Sequence, residues 1–150
     1  MRPPTENIGF LIFEVARLMR RRTDQAFERA GLGLTSGEAR TLAYAATFEG
    51  LRQTSLAELM SIEPMTLVGF LDKLEARGLV ERLPDPDDRR AKLIRVTPNA
   101  GPIIERVMEI AAATRCSATQ GMAPEAIEQL RQALKLMRSN LMTDDREPQA

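Results

Sequence analysis

Few of the side chains that enzymes use for catalysis are present in this sequence. It contains no histidine and a single cysteine, Cys116. Nucleophilic catalysis needs an imidazole or an equivalent base beside the nucleophile, and the usual zinc sites need several histidine and cysteine ligands. Asp85, Asp87 and Asp88 lie close together, but we expect them on an exposed loop, where no pocket raises a carboxylate pKa. The sequence therefore predicts a protein that is not an enzyme and that binds no metal or cofactor.

Basic side chains offer a second kind of chemistry, because they are unevenly distributed. The chain carries 21 lysines and arginines and 21 acidic residues, so its formal net charge is zero. Residues 77–95 are locally basic and residues 17–22 hold a second basic cluster, whereas acidic residues collect at 144–147. A neutral molecule with this asymmetry can present a cationic face, which the phosphates of a nucleic acid attract.

The N-terminal part of the chain is predicted to fold as one long helix. Apolar residues recur at three- and four-residue spacing from residue 8 to residue 19, which predicts a helix that starts near Asn7 and ends before Gly31. Phe10 and Phe13 lie off that stripe, so the helix has a second apolar side that one small domain covers poorly. A partner subunit is one way to cover it.

Two capping boxes predict where the next helices begin. Thr35 with Glu38, and Ser55 with Glu58, each place a hydroxyl three residues before a glutamate, so that each side chain satisfies the amide of the other residue. The first box predicts a second helix that runs to about residue 49. The second box predicts a short third helix from residue 55 onward.

A tight turn at 61–63 separates the third helix from a fourth. Pro64 suits the first position of a helix, because its missing amide hydrogen is not needed there, and Gly78 suits the end. A short helix, a tight turn and a second helix form a helix-turn-helix, whose second helix enters the major groove of DNA. Leu67, Leu71 and Leu74 share one side of the fourth helix and are predicted to face the core. The opposite side, predicted to meet DNA, carries Met65, Thr66, Gly69, Asp72, Lys73 and Ala76.

Residues 79–96 are predicted to form a β-hairpin. The segments 79–83 and 92–96 have the composition of strands, and residues 84–90 contain two prolines and three aspartates, which disfavour regular structure. The result is a hairpin with a long charged loop, which is called a wing. Thr97 followed by Pro98 predicts the start of a fifth helix, which ends at Gly121. Because Gly101 and Pro102 fall near its beginning, a start at Pro102 and a bent first turn are both alternatives. A sixth helix begins near Pro124 and repeats apolar residues at the spacing of a helix-helix seam.

Together these elements predict a single domain, residues 1–150, that is mainly α with a small β-hairpin wing and has six helices. Residues 144–150 are polar and are predicted to be disordered. The sequence has no apolar run near the roughly 20 residues that cross a bilayer and no secretory signal at its start, which predicts a cytoplasmic protein without a membrane partner. Cys116 is predicted to pack as a small apolar side chain.

The chain resembles the MarR/SlyA-type winged helix-turn-helix regulators over nearly its whole length. The best-matching stretch runs from Leu56 to Ile104 and includes LAELMSIEPMTLVGFLDKLEARGLVERLPDPDDRRAKLIRVT, in which DRRAK at 88–92 is the most specific piece. The resemblance implies a sequence-specific transcriptional regulator that binds double-stranded DNA at a pseudo-palindromic site. It also implies a homodimer held by the N- and C-terminal helices, residues 7–30 and 98–143, with a DNA-binding lobe at residues 35–97.

On this resemblance, two parts of the chain would contact DNA. The fourth helix would insert its N-terminal end into the major groove, and Lys73 would reach a phosphate. In the wing, Asp88 would pair with Arg90 and hold its guanidinium for the minor groove, with further basic residues beside it. The predicted DNA-binding residues are Pro64, Met65, Thr66, Val68, Gly69, Lys73, Asp88, Arg89, Arg90 and Lys92.

Gly69 departs from the family pattern. Related proteins commonly carry an arginine at this position, and arginine is the side chain that contacts guanine through two hydrogen bonds. Without it, specificity is predicted to depend on Thr66, on contacts of Met65 with thymine methyl groups, and on DNA shape.

Members of the family often respond to small aromatic carboxylates bound between the dimerisation helices and the DNA-binding lobe. The matching positions are Arg17, Thr35 and Ala39, of which Arg17 could anchor a carboxylate through its planar guanidinium. A solvated or salt-bridged Arg17 is the alternative. The resemblance thus implies a small phenolic or aromatic acid as an effector that releases the protein from DNA.

Two other functions are compatible with the sequence. A winged helix can serve as a protein-interaction module that never binds DNA, and Cys116 could make the protein a redox-responsive regulator. A steep salt dependence of affinity for duplex DNA favours the regulator, and a flat response favours the interaction module.

Overall fold

The computed structural model describes residues 6–144, so most of the predicted disordered tail at 144–150 lies outside the described residues. Six α-helices and one antiparallel hairpin form in this range, which confirms the predicted mainly α fold with a wing. The chain forms two compact units, one up to Arg115 and one from Cys116 onward. The elements are α1 (Ile8–Arg29), α2 (Ser36–Thr47), α3 (Gln53–Met60), α4 (Pro64–Ala76), β1 (Val80–Pro84), β2 (Lys92–Val96), α5 (Gly101–Ala118) and α6 (Pro124–Asp144).

The first two helices begin where their capping residues predict. Asn7 caps α1, because its Oδ1 accepts a hydrogen bond from the Gly9 N–H at 2.8 Å. The predicted capping box of α2 is present. The Glu38 N–H donates to Thr35 Oγ1 at 3.3 Å, and the Thr35 N–H donates to Glu38 Oε2 at 3.0 Å.

Helix α3 begins earlier than predicted, and the capping box of Ser55 with Glu58 is wrong. Arg52 is the N-cap residue and makes no side-chain capping bond. The cause is a tertiary constraint just before the helix. The Ile94 N–H of β2 donates to the Leu51 carbonyl at 2.9 Å, and Arg52 pairs with Leu93 in an isolated β-bridge. The chain is tied to the wing at this point and turns into the helix at once.

A single tight turn connects α3 to α4. Ser61 ends α3 in the left-handed conformation at φ 52°, and the Ile62 N–H donates to the Ala57 carbonyl at 3.1 Å. Helix α4 then buries Leu67, Leu71 and Leu74 completely, as the leucine spacing predicts. These leucines pack in one core cluster with residues of α2, α3, β1, β2 and α5.

The wing, residues 80–96, is a two-stranded antiparallel hairpin. Its register runs from the pair Val80↔Val96 to the pair Pro84↔Lys92, and Val80 and Ile94 are buried against the helices. After it, Thr97 is the N-cap residue, as predicted, but of a short 3-10 helix at Pro98–Ala100 that leads directly into α5 at Gly101. Its side chain makes no capping bond, because Oγ1 donates to the Gly78 carbonyl at 2.5 Å.

Several apolar side chains remain uncovered on the first and last helices. On α1 the exposed set includes Ile8, Phe13 and Val15, and on α6 it includes Leu136 and Leu141. No helix within residues 6–144 has the length and apolar content that spanning a membrane requires. The prediction that Cys116 packs as a buried side chain is wrong. It is exposed, because α5 buries a different side.

Candidate nucleic-acid interface

The outer side of α4 is open to solvent at its N-terminal end. Pro64, Met65, Thr66 and Gly69 are exposed, with Met65 at 77%, while Val68 is half-buried. This distribution follows from the three buried leucines, which fix the opposite side of the helix in the core. The structure therefore brings these five predicted contact residues together at the end of the helix that would enter a groove.

Lys73 lies on the same helix, but its ammonium group has a partner within the protein. Its Nζ is 3.2 Å from Glu38 Oε1, and Glu38 is buried as part of the α2 capping box. Burial alone would raise the pKa of Glu38, but the Thr35 backbone N–H and the Lys73 ammonium outweigh it and lower the pKa. Lys73 thus connects α4 to α2, in addition to the phosphate contact predicted for it.

The lowered pKa of Glu38 predicts a pH-dependent contribution to stability. A carboxylate whose folded pKa is below its unfolded value of about 4.3 stabilises the fold above that value, and the contribution is lost as the pH falls through the folded pKa. Glu38→Gln keeps a capping oxygen and removes the charge. In denaturant titrations, we expect its free energy of unfolding to lie below that of wild type at neutral pH and to converge with it in acid. An equal difference at every pH would contradict the assignment.

Two further contacts seat α4 on residues 33–38, which we call the α4 seat. The Phe70 ring packs directly on Gly37, where an added Cβ would overlap the ring atoms. About two turns further along, the Arg77 guanidinium donates to the Gly33 carbonyl at 2.5 Å. Because these contacts and the Lys73 pair are spaced along one side of α4, the seat sets the direction in which its outer side points.

Arg82 on β1 connects the wing to α4. Its guanidinium lies 2.5 Å from Asp72 Oδ1 and 2.6 Å from Glu75 Oε2, and its backbone N–H donates to Glu75 Oε1 at 3.1 Å. Hydrogen bonds from Arg82 lower the pKa of Glu75, which keeps it charged. The wing and the helix are therefore held in one relative orientation.

At the tip of the wing, Asp88 binds a different atom of Arg90 from the one expected. The predicted pairing of the Asp88 carboxylate with the Arg90 guanidinium is not formed. Asp88 Oδ1 instead accepts the Arg90 backbone N–H at 3.0 Å, and the Ala91 N–H donates to the Asp88 carbonyl at 2.9 Å. Asp88 shapes the turn, and Arg89 and Arg90 are exposed without an ion-pair partner anywhere in residues 6–144.

At the start of the wing loop, Asp85 is only 4% exposed, which corrects the expectation that its side chain is exposed. Its Oδ1 accepts the Asp87 N–H at 2.8 Å, and its Oδ2 lies 2.6 Å from Arg52 Nε. The hydrogen bond from Asp87, together with Arg52, lowers the pKa of Asp85 against the opposing effect of burial. Sequence analysis missed Arg52, which lies 33 residues from Asp85 and has no local pattern that signals the pair.

A cavity of about 550 Å³ lies among the helices of the first unit. Inside it, Arg40 Nη1 is 3.5 Å from Asp24 Oδ1. Burial lowers the pKa of Arg40, and the nearby Arg20 lowers it further against the opposing charge of Asp24. Arg40 Nε and Nη1 and Asp24 Oδ1 are buried and have no hydrogen-bond partner within the described chain. The lining residues are Ala16, Arg20, Thr23, Asp24, Phe27, Arg40, Ala43, Tyr44, Thr47, Phe48, Leu59, Met60, Met108, Ala111 and Arg115.

The three residues predicted to bind an effector do not line this cavity. Arg17 is exposed and pairs with Glu14 at 3.7 Å, Thr35 is engaged in the capping box, and Ala39 is fully buried in the core. Sequence analysis missed Arg40 and assigned Arg20 only to a basic cluster. Among residues 6–144, no cluster of three or more histidine, cysteine or acidic side chains is suited to a metal ion.

Comparisons with known proteins agree with this architecture. Residues 34–92 match the family model of the MarR family. The transcriptional regulator PA3341 is 31% identical over 91% of this chain and 99% of its own, with a TM-score of 0.78. A MarR-family transcriptional regulator from Rhodococcus sp. RHA1 is 28% identical over 91% and 96%, with a TM-score of 0.76. CouR from Rhodococcus jostii RHA1, solved bound to p-coumaroyl-CoA, is 26% identical over 91% and 95%, with a TM-score of 0.73.

A helix-turn-helix fastened to a charged hairpin defines a winged helix protein. The chain belongs to the MarR family of transcriptional regulators.

Proposed function

We propose that this protein is a homodimeric regulator that acts in the cytoplasm by binding a specific sequence of double-stranded DNA, without enzymatic activity of its own. One observation carries the proposal. The outer side of α4 and the arginines of the wing tip are exposed, although α4 is fixed by its buried leucines and the wing by the ion pairs of Arg82 and the turn at Asp88. Rigid elements that present free polar and cationic groups are typical of a binding surface.

The proposed contacts divide between the two grooves of DNA. The N-terminal end of α4 enters the major groove, where Thr66 can hydrogen-bond a base and Met65 can contact thymine methyl groups. Arg90 enters the minor groove, whose negative potential is strongest where the groove is narrow. Arg89 and Lys92, both exposed, face phosphates beside it. Lys73 supplies a further phosphate contact while it remains close to Glu38.

The uncovered apolar side chains of α1 and α6 support the proposed homodimer. Burying large apolar residues against a second copy removes them from water and stabilises the pair. In a twofold dimer, the two α4 helices would lie about 34 Å apart, one turn of the double helix, so the half-sites of the operator would repeat at that distance.

Selection from a random duplex pool, followed by fluorescence anisotropy across a range of salt concentrations, tests the DNA-binding proposal. We expect a pseudo-palindromic consensus and a steep fall in affinity with salt, by about 0.9 log units per log unit of salt for each phosphate neutralised. A failure to enrich any sequence, together with a flat salt response, would instead support a protein-interaction module.

We further propose that a small aromatic carboxylate binds in the cavity and releases the protein from DNA. Nε and Nη1 of Arg40 are buried without a hydrogen-bond partner, and Arg20 adds a second positive charge, against the one negative charge of Asp24, which lies 3.5 Å from Arg40. Apolar side chains such as Phe27 and Met108 line the remaining wall. This combination suits a ligand with one anionic group on an apolar ring. CouR, which was solved with a coumaroyl thioester, is a relative that binds an aromatic ligand.

Replacing Arg40 tests where the effector binds. With salicylate as the probe, Arg40→Gln is expected to raise the concentration needed for half-release of DNA by about 10-fold or more, because a charge-assisted hydrogen bond contributes about 1.5–3 kcal/mol. Arg17→Gln is the matched comparison, since it removes the same charge from the exposed surface of α1. If only Arg17→Gln loses the response to salicylate, Arg17 and not Arg40 binds the carboxylate. If millimolar salicylate does not release wild type from DNA, the proposed effector is wrong.

A further inference from the structure

We propose that Arg52 contacts the DNA backbone and that Asp85 is the residue that positions it together with the wing. The inference rests on the DNA binding proposed above and adds a contact outside α4 and the wing tip. Arg52 belongs to neither of the segments from which DNA contacts were predicted.

Arg52 lies at the start of the helix-turn-helix. It is the N-cap residue of α3, the first helix of the helix-turn-helix, and in such motifs the first helix crosses the DNA backbone. Its main chain is also bridged to Leu93 of β2, and the adjacent Leu51 carbonyl accepts the Ile94 N–H. Arg52 therefore lies where the helix-turn-helix meets the wing.

The Arg52 guanidinium is bound to Asp85 on one side and is partly exposed. Arg52 Nε donates to Asp85 Oδ2 at 2.6 Å, yet 44% of the Arg52 side chain is exposed. The planar fork has five donors, and the one on Nε is the donor used in the described structure. The terminal nitrogens remain accessible to a phosphate, which arginine binds through paired hydrogen bonds.

Asp85 supplies the rigidity that such a contact needs. Its carboxylate is buried and bonds both to Arg52 and to the Asp87 N–H, while its own N–H donates to the Ala91 carbonyl at 3.1 Å. The Asp85 backbone thus joins the two ends of the wing loop, and its carboxylate connects the loop backbone to the start of α3. Asp85 acts through Arg52 and the wing, and it does not need to touch DNA.

The salt dependence of DNA affinity separates a phosphate contact from a purely structural role. Arg52→Gln is expected to lower affinity about 5- to 10-fold at moderate salt and to reduce the slope of log affinity against log salt by about one unit. Arg52→Lys retains the charge and is expected to keep the wild-type slope. Arg106→Gln, which removes an exposed arginine paired with Glu109 on α5, is the matched control and leaves the slope unchanged.

Folding must be kept apart from binding, because Arg52→Gln leaves the Asp85 carboxylate without its cation. The double variant Arg52→Gln with Asp85→Asn removes both charges, and circular dichroism establishes that it folds. A reduced slope in this variant supports the phosphate contact. A wild-type slope in Arg52→Gln and in the double variant overturns it. If wild type shows no salt dependence while Arg90→Ala changes nothing, the DNA-binding proposal itself has failed.

Discussion

Arg90→Ala is expected to weaken binding to the selected duplex by about 10- to 100-fold, since one specific arginine contact contributes about 1–3 kcal/mol. The thermal unfolding midpoint should stay within error of wild type, because the Arg90 side chain is exposed and has no ion-pair partner in the described part of the chain. Fluorescence anisotropy measures the first effect and circular dichroism the second. Unchanged affinity would remove the wing from the proposed interface.

Asp88→Asn is the matched control for this measurement. The asparagine Oδ1 can accept the Arg90 backbone N–H as Asp88 does, so the turn should persist and affinity should be retained. If Asp88 acted by holding the Arg90 guanidinium through charge, the same substitution would weaken binding nearly as much as Arg90→Ala. Asp88→Ala removes the acceptor and is expected to fall between the two.

Gly37→Ala is expected to lower the free energy of unfolding by about 1–3 kcal/mol, the usual cost of overpacking a buried site. The cause is steric. The new methyl group would overlap the far end of the half-buried Phe70 ring, so the ring would have to move away from α2. Denaturant titration measures the loss. DNA affinity should fall as well, because the displaced Phe70 lies on the helix whose direction the seat sets.

Phe70→Leu provides a test of the steric cause. Leucine lacks the three ring atoms that the added methyl group would meet, so the double variant Gly37→Ala with Phe70→Leu should regain part of the stability that Gly37→Ala loses. Gly69→Ala is the control for the helix itself. No atom lies within 4 Å of a Cβ at Gly69, so alanine there should stabilise by about 0.5–1 kcal/mol. Additive losses in the double variant would exclude the proposed overlap.

Local patterns predicted most of the fold. The Thr35 capping box, the proline that starts α4 and the leucine spacing on that helix each involve neighbours in sequence, and the structure has all three. The predicted start of α3 was wrong because it depends on residues that are distant in sequence. Leu51 and Arg52 are tied to β2, some 40 residues later, and this contact overrides the local capping signal.

In the candidate site, too, local sequence patterns predict some features, and contacts between residues distant in sequence determine the others. Exposure of the α4 end and of the wing arginines follows from periodicity and turn composition, so it could be predicted. The partner of Lys73, the burial of Asp85 and the arginines of the cavity depend on side chains that meet only after folding. Asp88 lies between these cases. Its involvement with Arg90 was predicted, but the bonded atom is the amide rather than the guanidinium.

The open space around Gly69 bears on how this regulator can change its target during evolution. The position is exposed on a helix that is anchored on its other side, and a Cβ placed there meets no neighbouring atom within 4 Å. In the proposed mode of DNA binding, an arginine introduced there would add guanine recognition at little cost to folding. On that proposal a single codon would change the preferred DNA sequence, while the packing that holds the molecule together is left as it was.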